Sequence, residues 1–297
     1  MHDPKLPVYE VLNNSFNAPG YSCTNEEPER FRELLKGKTF KRVLSICSGG
    51  EIPLMILLPR TTKEVIAVDH SERALLATYL KVVILNHYGP KEAIKILTGL
   101  RSESEVAKVC KVVDQVPNHL REVKSYNAYP AGVLVYDAGN LNREWKLARE
   151  QDLRATIKKL HLLKLVQGDL MDVLKKYDPF ELLYFSNAFE HTGRSGKYPD
   201  PRSVERLLGP GGLVLTAAAT SSSLEEHSWC KSKIAGAVNP LGWEKLASIP
   251  GKRASWSAYG LYQTSYSLHR IPEACHVCGG MCECNSRKAR VNRMAQP

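Results

Sequence analysis

The sequence predicts an α/β fold with a doubly wound, mostly parallel sheet, and three observations predict it. Short apolar runs alternate with helical patterns from Lys41 to Ala219, as parallel strands joined by crossover helices require. The first run, Val43 to Cys47, is apolar except for Ser45 and is followed at once by Ser48-Gly49-Gly50, which reads as a buried strand opening into a glycine turn. The second run, Glu64 to Asp69, ends in a carboxylate nineteen positions after Gly50.

Each element follows from its local pattern. Between the first two strands, Glu51 to Leu58 forms a short helix that stops at Pro59. From Glu72 to Asn86 the apolar positions Leu75, Leu76, Tyr79, Leu80, Val83 and Ile84 recur at three and four, an amphipathic helix that Ser71 can cap. Leu162 to Val166 is the third strand, leading into Gln167-Gly168-Asp169-Leu170, and Leu182 to Phe185 is the fourth, leading into Ser186-Asn187. Gly209-Pro210-Gly211-Gly212 turns the chain into a fifth strand, Leu213 to Ala217. Residues 88 to 160 interrupt the alternation and are too long for an unstructured loop in a compact domain, so a mainly helical insertion is expected, capping the carboxyl ends of the strands. Residues 1 to 40 form an N-terminal arm or lid with one helix, Pro28 to Leu35, and residues 41 to 297 the main domain; residues 221 to 297 carry later helices and strands from Ala258 to Ile271.

Composition bounds the function. The chain has 297 residues, 43% hydrophobic, and can bury a full core. No run reaches the roughly 18 uninterrupted apolar residues of a membrane helix, and the start MHDPKLPVYE lacks the pattern of a secretory signal, so no membrane partner and a cytoplasmic location are expected. The formal net charge is +10, but the basic residues are scattered, as at Arg143, Lys146, Lys158 and Lys159; only the tail from Arg287 to Arg293 is locally basic. That distribution reads as solvation of the surface rather than a nucleic-acid footprint.

In an open parallel sheet, ligands collect beyond the carboxyl ends of the strands, where strand order reverses. Ser48, Gly49 and Gly50 allow close backbone approach, and the helix start behind them favours an anionic group. Asp69 is placed to accept both hydroxyl protons of a ribose, and Asp169 to meet the amino group of an adenine. Taken singly, a glycine turn or a strand-end aspartate is an ordinary structural feature; three strand ends in this order argue for a cofactor. With only two adjacent glycines the loop suits a carboxylate better than a pyrophosphate.

That order resembles the class I S-adenosylmethionine-dependent enzymes, a class I methyltransferase-like (Rossmann-like) fold, over residues 41 to 219. The resemblance implies S-adenosylmethionine as the cofactor or substrate, a small-molecule acceptor, and binding through Ser48, Gly49, Gly50, Asp69, His70, Asp169, Leu170 and Ser186. Within the class, the stretches YSCTNEEPE (21 to 29), VLSICSGGEIP (43 to 53), VIAVDHSERALLATYLKVVIL (65 to 85), ILTGLRSE (96 to 103) and YFSNAFEH (184 to 191) are similar to the 3-amino-3-carboxypropyltransferases of betaine-lipid synthesis. The lipid enzymes are larger and their loop is usually Ala-rich, where this one reads Cys-Ser-Gly-Gly. Small relatives of that family resemble azetidine-2-carboxylate synthases, which close the amino acid on itself and release methylthioadenosine.

The resemblance implies that Tyr21, Tyr184, Ser186 and Asn187 surround the sulfonium, with Glu190 and His191 as base or as orienting partners; an ordinary helix start is the alternative for the last two. Two rival readings stay open: a small-molecule methyltransferase sharing every cofactor residue, and a non-enzymatic nucleic-acid or partner-binding module using the tail. That tail holds Cys275, Cys278, Cys282 and Cys284. Its first pair and glycines resemble half of a zinc knuckle, but four ligands within ten residues strain a tetrahedron, so free thiols or adventitious disulfides are expected and a metal is the alternative.

Overall fold

The computed structural model describes residues 6–12, 26–121, 132–136, 138–177, 179–186, 208, 211–220, 244–257 and 260–271. The chain divides into two compact units, Met1–Val173 and Leu174–Pro297.

In the first unit four parallel strands, β1 (Val8–Val11), β2 (Phe40–Ile46), β3 (Thr61–Asp69) and β4 (Leu163–Gln167), lie in the order β1-β4-β3-β2. Val43, Leu44, Val65, Ile66, Ala67, Leu165 and Val166 are all buried, which is why these strands read as unbroken apolar runs instead of alternating ones. The strand β1 was not expected in the N-terminal arm. It has only four residues, two of them the exposed Val8 and Val11, so it lacks the buried apolar run that marks the others.

The helices of this unit are α1 (Pro28–Leu34), α2 (Glu72–Thr98), α3 (Glu103–Cys110), α4 (Asn118–Arg121), α5 (Gly132–Tyr136), α6 (Ala138–Trp145) and α7 (Glu150–Lys158), and α8 (Leu170–Lys176) starts in it and crosses its boundary at Val173. Proline at the first turn of α1 fits a position whose N–H has no helical partner. Ser71 caps α2 as expected, its hydroxyl accepting from the Ala74 amide at 3.4 Å. The helix runs past Asn86 with one break, where Gly89 takes φ 76° ahead of Pro90. Pro90 lacks an N–H and crowds the preceding turn, so the break falls at the one residue that tolerates positive φ.

Between β2 and β3 the expected single helix is instead a π-helical turn, Pro53–Leu57, followed by a 3₁₀ turn, Leu58–Arg60. Proline stands at 53 and 59, and neither can donate to a regular ladder. The insertion is helical among its described residues, and α3, α6 and α7 pack on α2. Its last helix does not cap the carboxyl ends. The Lys159 ammonium, just after α7, donates to the carbonyls of Pro59 at 2.9 Å and Thr61 at 2.8 Å, at the amino end of β3. The Thr156 hydroxyl donates to Leu54 O at 2.6 Å, and Arg32 of α1 pairs with Asp152 of α7 at 3.0 Å.

The second unit holds β5 (Leu182–Ser186), β6 (Leu213–Thr220), β7 (Glu244–Ser257) and β8 (Gly260–Arg270) in the order β5-β6-β8-β7. The pair β5-β6 is parallel; β6-β8 and β8-β7 are antiparallel. The strand expected over 258–271 is therefore half of a long hairpin. Its partner β7 was not anticipated because it contains Pro250-Gly251, where the register shifts between Pro250 and Ala254; an edge strand with a bulge tolerates that proline. Parallel strands with helical crossovers in one unit, and a parallel pair finished by an antiparallel hairpin in the other, make this an α/β fold of the class I methyltransferase-like kind.

Candidate functional site

The glycine loop of the first unit starts where β2 ends. The Cys47 amide still donates to Val68 O of β3 at 2.8 Å, and then Ser48, Gly49 and Gly50 take φ values of 43°, 84° and 98°. Three successive residues in the left-handed region turn the chain sharply, and Ser48 is the only non-glycine residue to adopt it among the described residues. The Gly50 amide closes the turn onto Cys47 O at 2.7 Å, and Gly50 O accepts from Leu54 at 2.9 Å. Gly50 also has a packing reason: a Cβ there would lie 2.6 Å from both Cγ2 and Oγ1 of Thr78 on α2. Thr78 in turn meets the Cys47 thiol at 2.9 Å, and burial pushes that thiol well above its ordinary range.

Asp69, at the end of β3, ties this loop to the next one. Its Oδ2 accepts from the Ser48 amide at 3.2 Å and its Oδ1 from the Ser71 amide at 2.9 Å. Burial raises its pKa, opposed by the hydrogen bonds from Ser71 and Ser48. A carboxylate offers about four lone-pair sites, more than the Ser48 and Ser71 amides occupy. His70 Nε2 lies 3.6 Å from Asp169 Oδ2, and these side chains are 43% and 30% exposed. The Gly168 amide donates to Asp69 O at 3.0 Å, joining the ends of β3 and β4. Asp169 also starts α8, its carbonyl accepting from Asp172 and Val173, and Leu170 is the first residue of that helix.

The first unit thus gathers Ser48, Gly49, Gly50, Asp69, His70, Asp169 and Leu170 at the carboxyl ends of three neighbouring strands. Among the described residues the Gly49 N–H has no partner, and an anion bound at the loop would accept from it. In the second unit, Tyr184 lies in β5 with 1% exposure, and Ser186 is the last residue of that strand. Tyr21, Asn187, Glu190, His191, Cys275, Cys278, Cys282 and Cys284 lie outside the described residues. Among the described residues no group of three or more His, Cys, Asp or Glu side chains is arranged to hold a metal, Cys47 and Cys110 are free thiols, and no helix is long and apolar enough to cross a membrane.

Three residues at the loop escaped the sequence reading. Glu51 Oε1 accepts from Lys81 Nζ at 2.5 Å and from Trp145 Nε1 at 3.2 Å, and Lys81 also donates to Gly49 O at 2.6 Å. All three side chains are shielded from solvent. A signal was present: Lys81 is the only charged residue in the run from Ala74 to Leu85, and a lone charge in an apolar stretch needs a partner when buried.

The sequence matches no known protein family, and no curated protein is similar to it. Several solved structures align with this chain at low similarity. N-methyltransferase NodS from Bradyrhizobium japonicum WM9, in complex with S-adenosyl-L-homocysteine, is 11% identical over 84% of this chain and 90% of its own, with a TM-score of 0.39. The O-methyltransferase TomG from Streptomyces achromogenes, in complex with S-adenosylmethionine, is 11% identical over 82% and 79%, with a TM-score of 0.40. The cyclase SpnF is 10% identical over 86% and 87%, with a TM-score of 0.41.

Proposed function

We propose that this chain is an S-adenosylmethionine-dependent enzyme that directs attack at the γ-carbon of the methionine arm and releases methylthioadenosine, by aminocarboxypropyl transfer to a small acceptor or by cyclisation to azetidine-2-carboxylate. The observation that carries the cofactor reading is the tie between Asp69 and the Ser48 amide, which sets an acceptor carboxylate at the mouth of a left-handed loop. Asp69 retains lone pairs for the ribose hydroxyls, the Gly49 N–H faces no competing protein acceptor among the described residues, and the crowded side of Gly50 belongs to Thr78 rather than to a ligand. In this reading Ser48, Gly49 and Gly50 hold the methionine carboxylate, Asp69 and His70 the ribose, and Asp169 and Leu170 the adenine.

When bound, S-adenosylmethionine supplies a sulfonium with three electrophilic carbons. The residues decide between them by orientation, since holding nucleophile and carbon in line about 3 to 3.5 Å apart contributes several kcal/mol. The preference for the γ-carbon rests on the sequence resemblance, with Tyr21, Tyr184, Ser186 and Asn187 as polar and aromatic partners of the sulfonium and Glu190 as the base. Methyl transfer to a small molecule uses the same cofactor residues and is the rival reading.

Product identification by mass spectrometry separates them. Incubation with S-adenosylmethionine alone is expected to give methylthioadenosine and a cyclic amino acid if the amine attacks within the molecule. Methylthioadenosine formed only with an added acceptor assigns group transfer, and S-adenosylhomocysteine assigns methyl transfer. Neither binding nor turnover overturns the cofactor reading.

A further inference from the structure

Beneath the glycine loop lies a charge pair that binding a carboxylate does not require. The side chains of Lys81 and Glu51 are both 0% exposed, and Trp145 is fully buried against them. Taking two charges out of water costs several kcal/mol per ion, and an apolar pair of similar volume is often as stable or more so. What the pair supplies here is geometry. The Gly49–Gly50 peptide is held on both sides: its oxygen accepts from Lys81 at 2.6 Å, and its N–H donates to Cys47 O at 2.7 Å. Oxygen and N–H point to opposite sides of a trans peptide, so these two bonds fix its plane at the centre of the left-handed run.

The third member of the cluster comes from far along the chain. Trp145 ends α6 inside the insertion, and its indole N–H donates to the same Glu51 oxygen that receives Lys81. Withdrawing α6 would leave Glu51 short of one donor and admit water to a buried ion pair, which loosens the lysine that orients Gly49. We propose that Lys81, Glu51 and Trp145 couple docking of α6 to the geometry of the glycine loop, so that a ligand in the loop tightens the insertion and a detached α6 weakens the ligand. These are positioning residues, and the inference rests on the loop being the cofactor site. Linkage makes the coupling reciprocal: the factor by which docking strengthens binding is the factor by which binding strengthens docking.

The test uses the full chain with S-adenosylhomocysteine as the probe, reading affinity by titration calorimetry and amide hydrogen exchange over residues 138 to 145. In the wild type the probe is expected to slow exchange in α6. Trp145→Phe, which keeps an aromatic ring and removes the donor to a charged group, is expected to bind roughly tenfold more weakly and to lose the slowing. A second variant, K81M/E51M, removes both charges together and so leaves no buried unpaired ion; it is expected to keep its circular dichroism and show the same two changes. Unchanged affinity in Trp145→Phe, or a wild-type α6 whose exchange ignores the probe, overturns the coupling. A wild type that does not bind the probe overturns the cofactor reading itself, and the coupling falls with it.

Discussion

Asp69 accepts a hydrogen bond from the Ser48 amide at 3.2 Å, so the carboxylate ending β3 is tied to the loop ending β2. The bond holds Ser48, a non-glycine residue with φ 43°, in a conformation that costs roughly 1 to 2 kcal/mol by itself. It also favours the charged form of Asp69, opposing in part the burial that raises its pKa.

That opposition predicts a pH dependence with two signs. The folded-state pKa of Asp69 lies above its unfolded value, chiefly through burial. Between those two values the native chain binds more protons than the unfolded one, so this group's contribution to stability falls as pH rises through the window. Cofactor affinity is expected to move the other way, because only the carboxylate accepts from two hydroxyls. Thermal melts and titration calorimetry across the acid range, read as the difference between wild type and Asp69→Asn, check both signs. A difference that is flat in pH for both would show that Asp69 titrates alike in the folded and unfolded chains.

Gly50→Ala is expected to cost roughly 2 to 4 kcal/mol, combining positive-φ strain with overpacking. The Cβ would meet Thr78 at 2.6 Å, and φ is 98°. Gly37→Ala provides the comparison, since φ is 72° but nothing lies within 4 Å; its cost should stay near 1 kcal/mol. Urea unfolding measures both. Measured in a Thr78→Ala background, the cost of Gly50→Ala should fall toward that of Gly37→Ala.

Gly50 also marks the boundary of what was legible in the sequence. The glycine turn, the strand-end Asp69 and the Ser71 cap were readable because each follows from local pattern. The reason for Gly50 was not: its neighbour Thr78 is 28 positions away, and long-range packing leaves no periodic trace. Glu51 and Trp145 escaped for the same reason, each looking like an ordinary residue until the fold joins them; Lys81 alone carried a local signal, as the one charge in the apolar run from Ala74 to Leu85. The turns after Gly50 were misread because apolar content from Ile52 to Leu58 suits any helical geometry, whereas Pro53 and Pro59 decide the hydrogen-bond spacing.

Asp69→Ala and Asn187→Ala separate binding from chemistry. Loss of the Asp69 carboxylate is expected to weaken cofactor affinity at least tenfold, about 1.4 kcal/mol or more, with a smaller effect on turnover once saturated. Loss of the Asn187 amide, proposed to act at the reacting carbon, is expected to lower kcat while leaving KM close to the wild-type value. Steady-state kinetics beside direct binding measurements check the pair, and the reverse pattern would exchange the two roles.

The N-terminal arm gives the last prediction. β1 runs parallel to β4 with Val11 opposite Gln167, so it ends at the carboxyl edge of the sheet, where the first unit gathers its strand-end residues. Tyr9 anchors it: the hydroxyl donates to Gln167 Oε1 at 2.8 Å, and Gln167 Nε2 donates on to Glu72 at 3.2 Å. Burial, with Glu72 nearby, pushes the Tyr9 phenol well above its ordinary range, so it stays a donor across ordinary pH. Tyr9→Phe is expected to cost about 1 kcal/mol and to speed amide exchange at residues 8 to 11 while leaving α2 unchanged. Because Tyr21, proposed to lie at the sulfonium, follows β1 in the sequence, the same variant should raise KM for S-adenosylmethionine. Faster exchange in β1 with kinetics untouched would separate the arm from the site and remove Tyr21 from the proposed set.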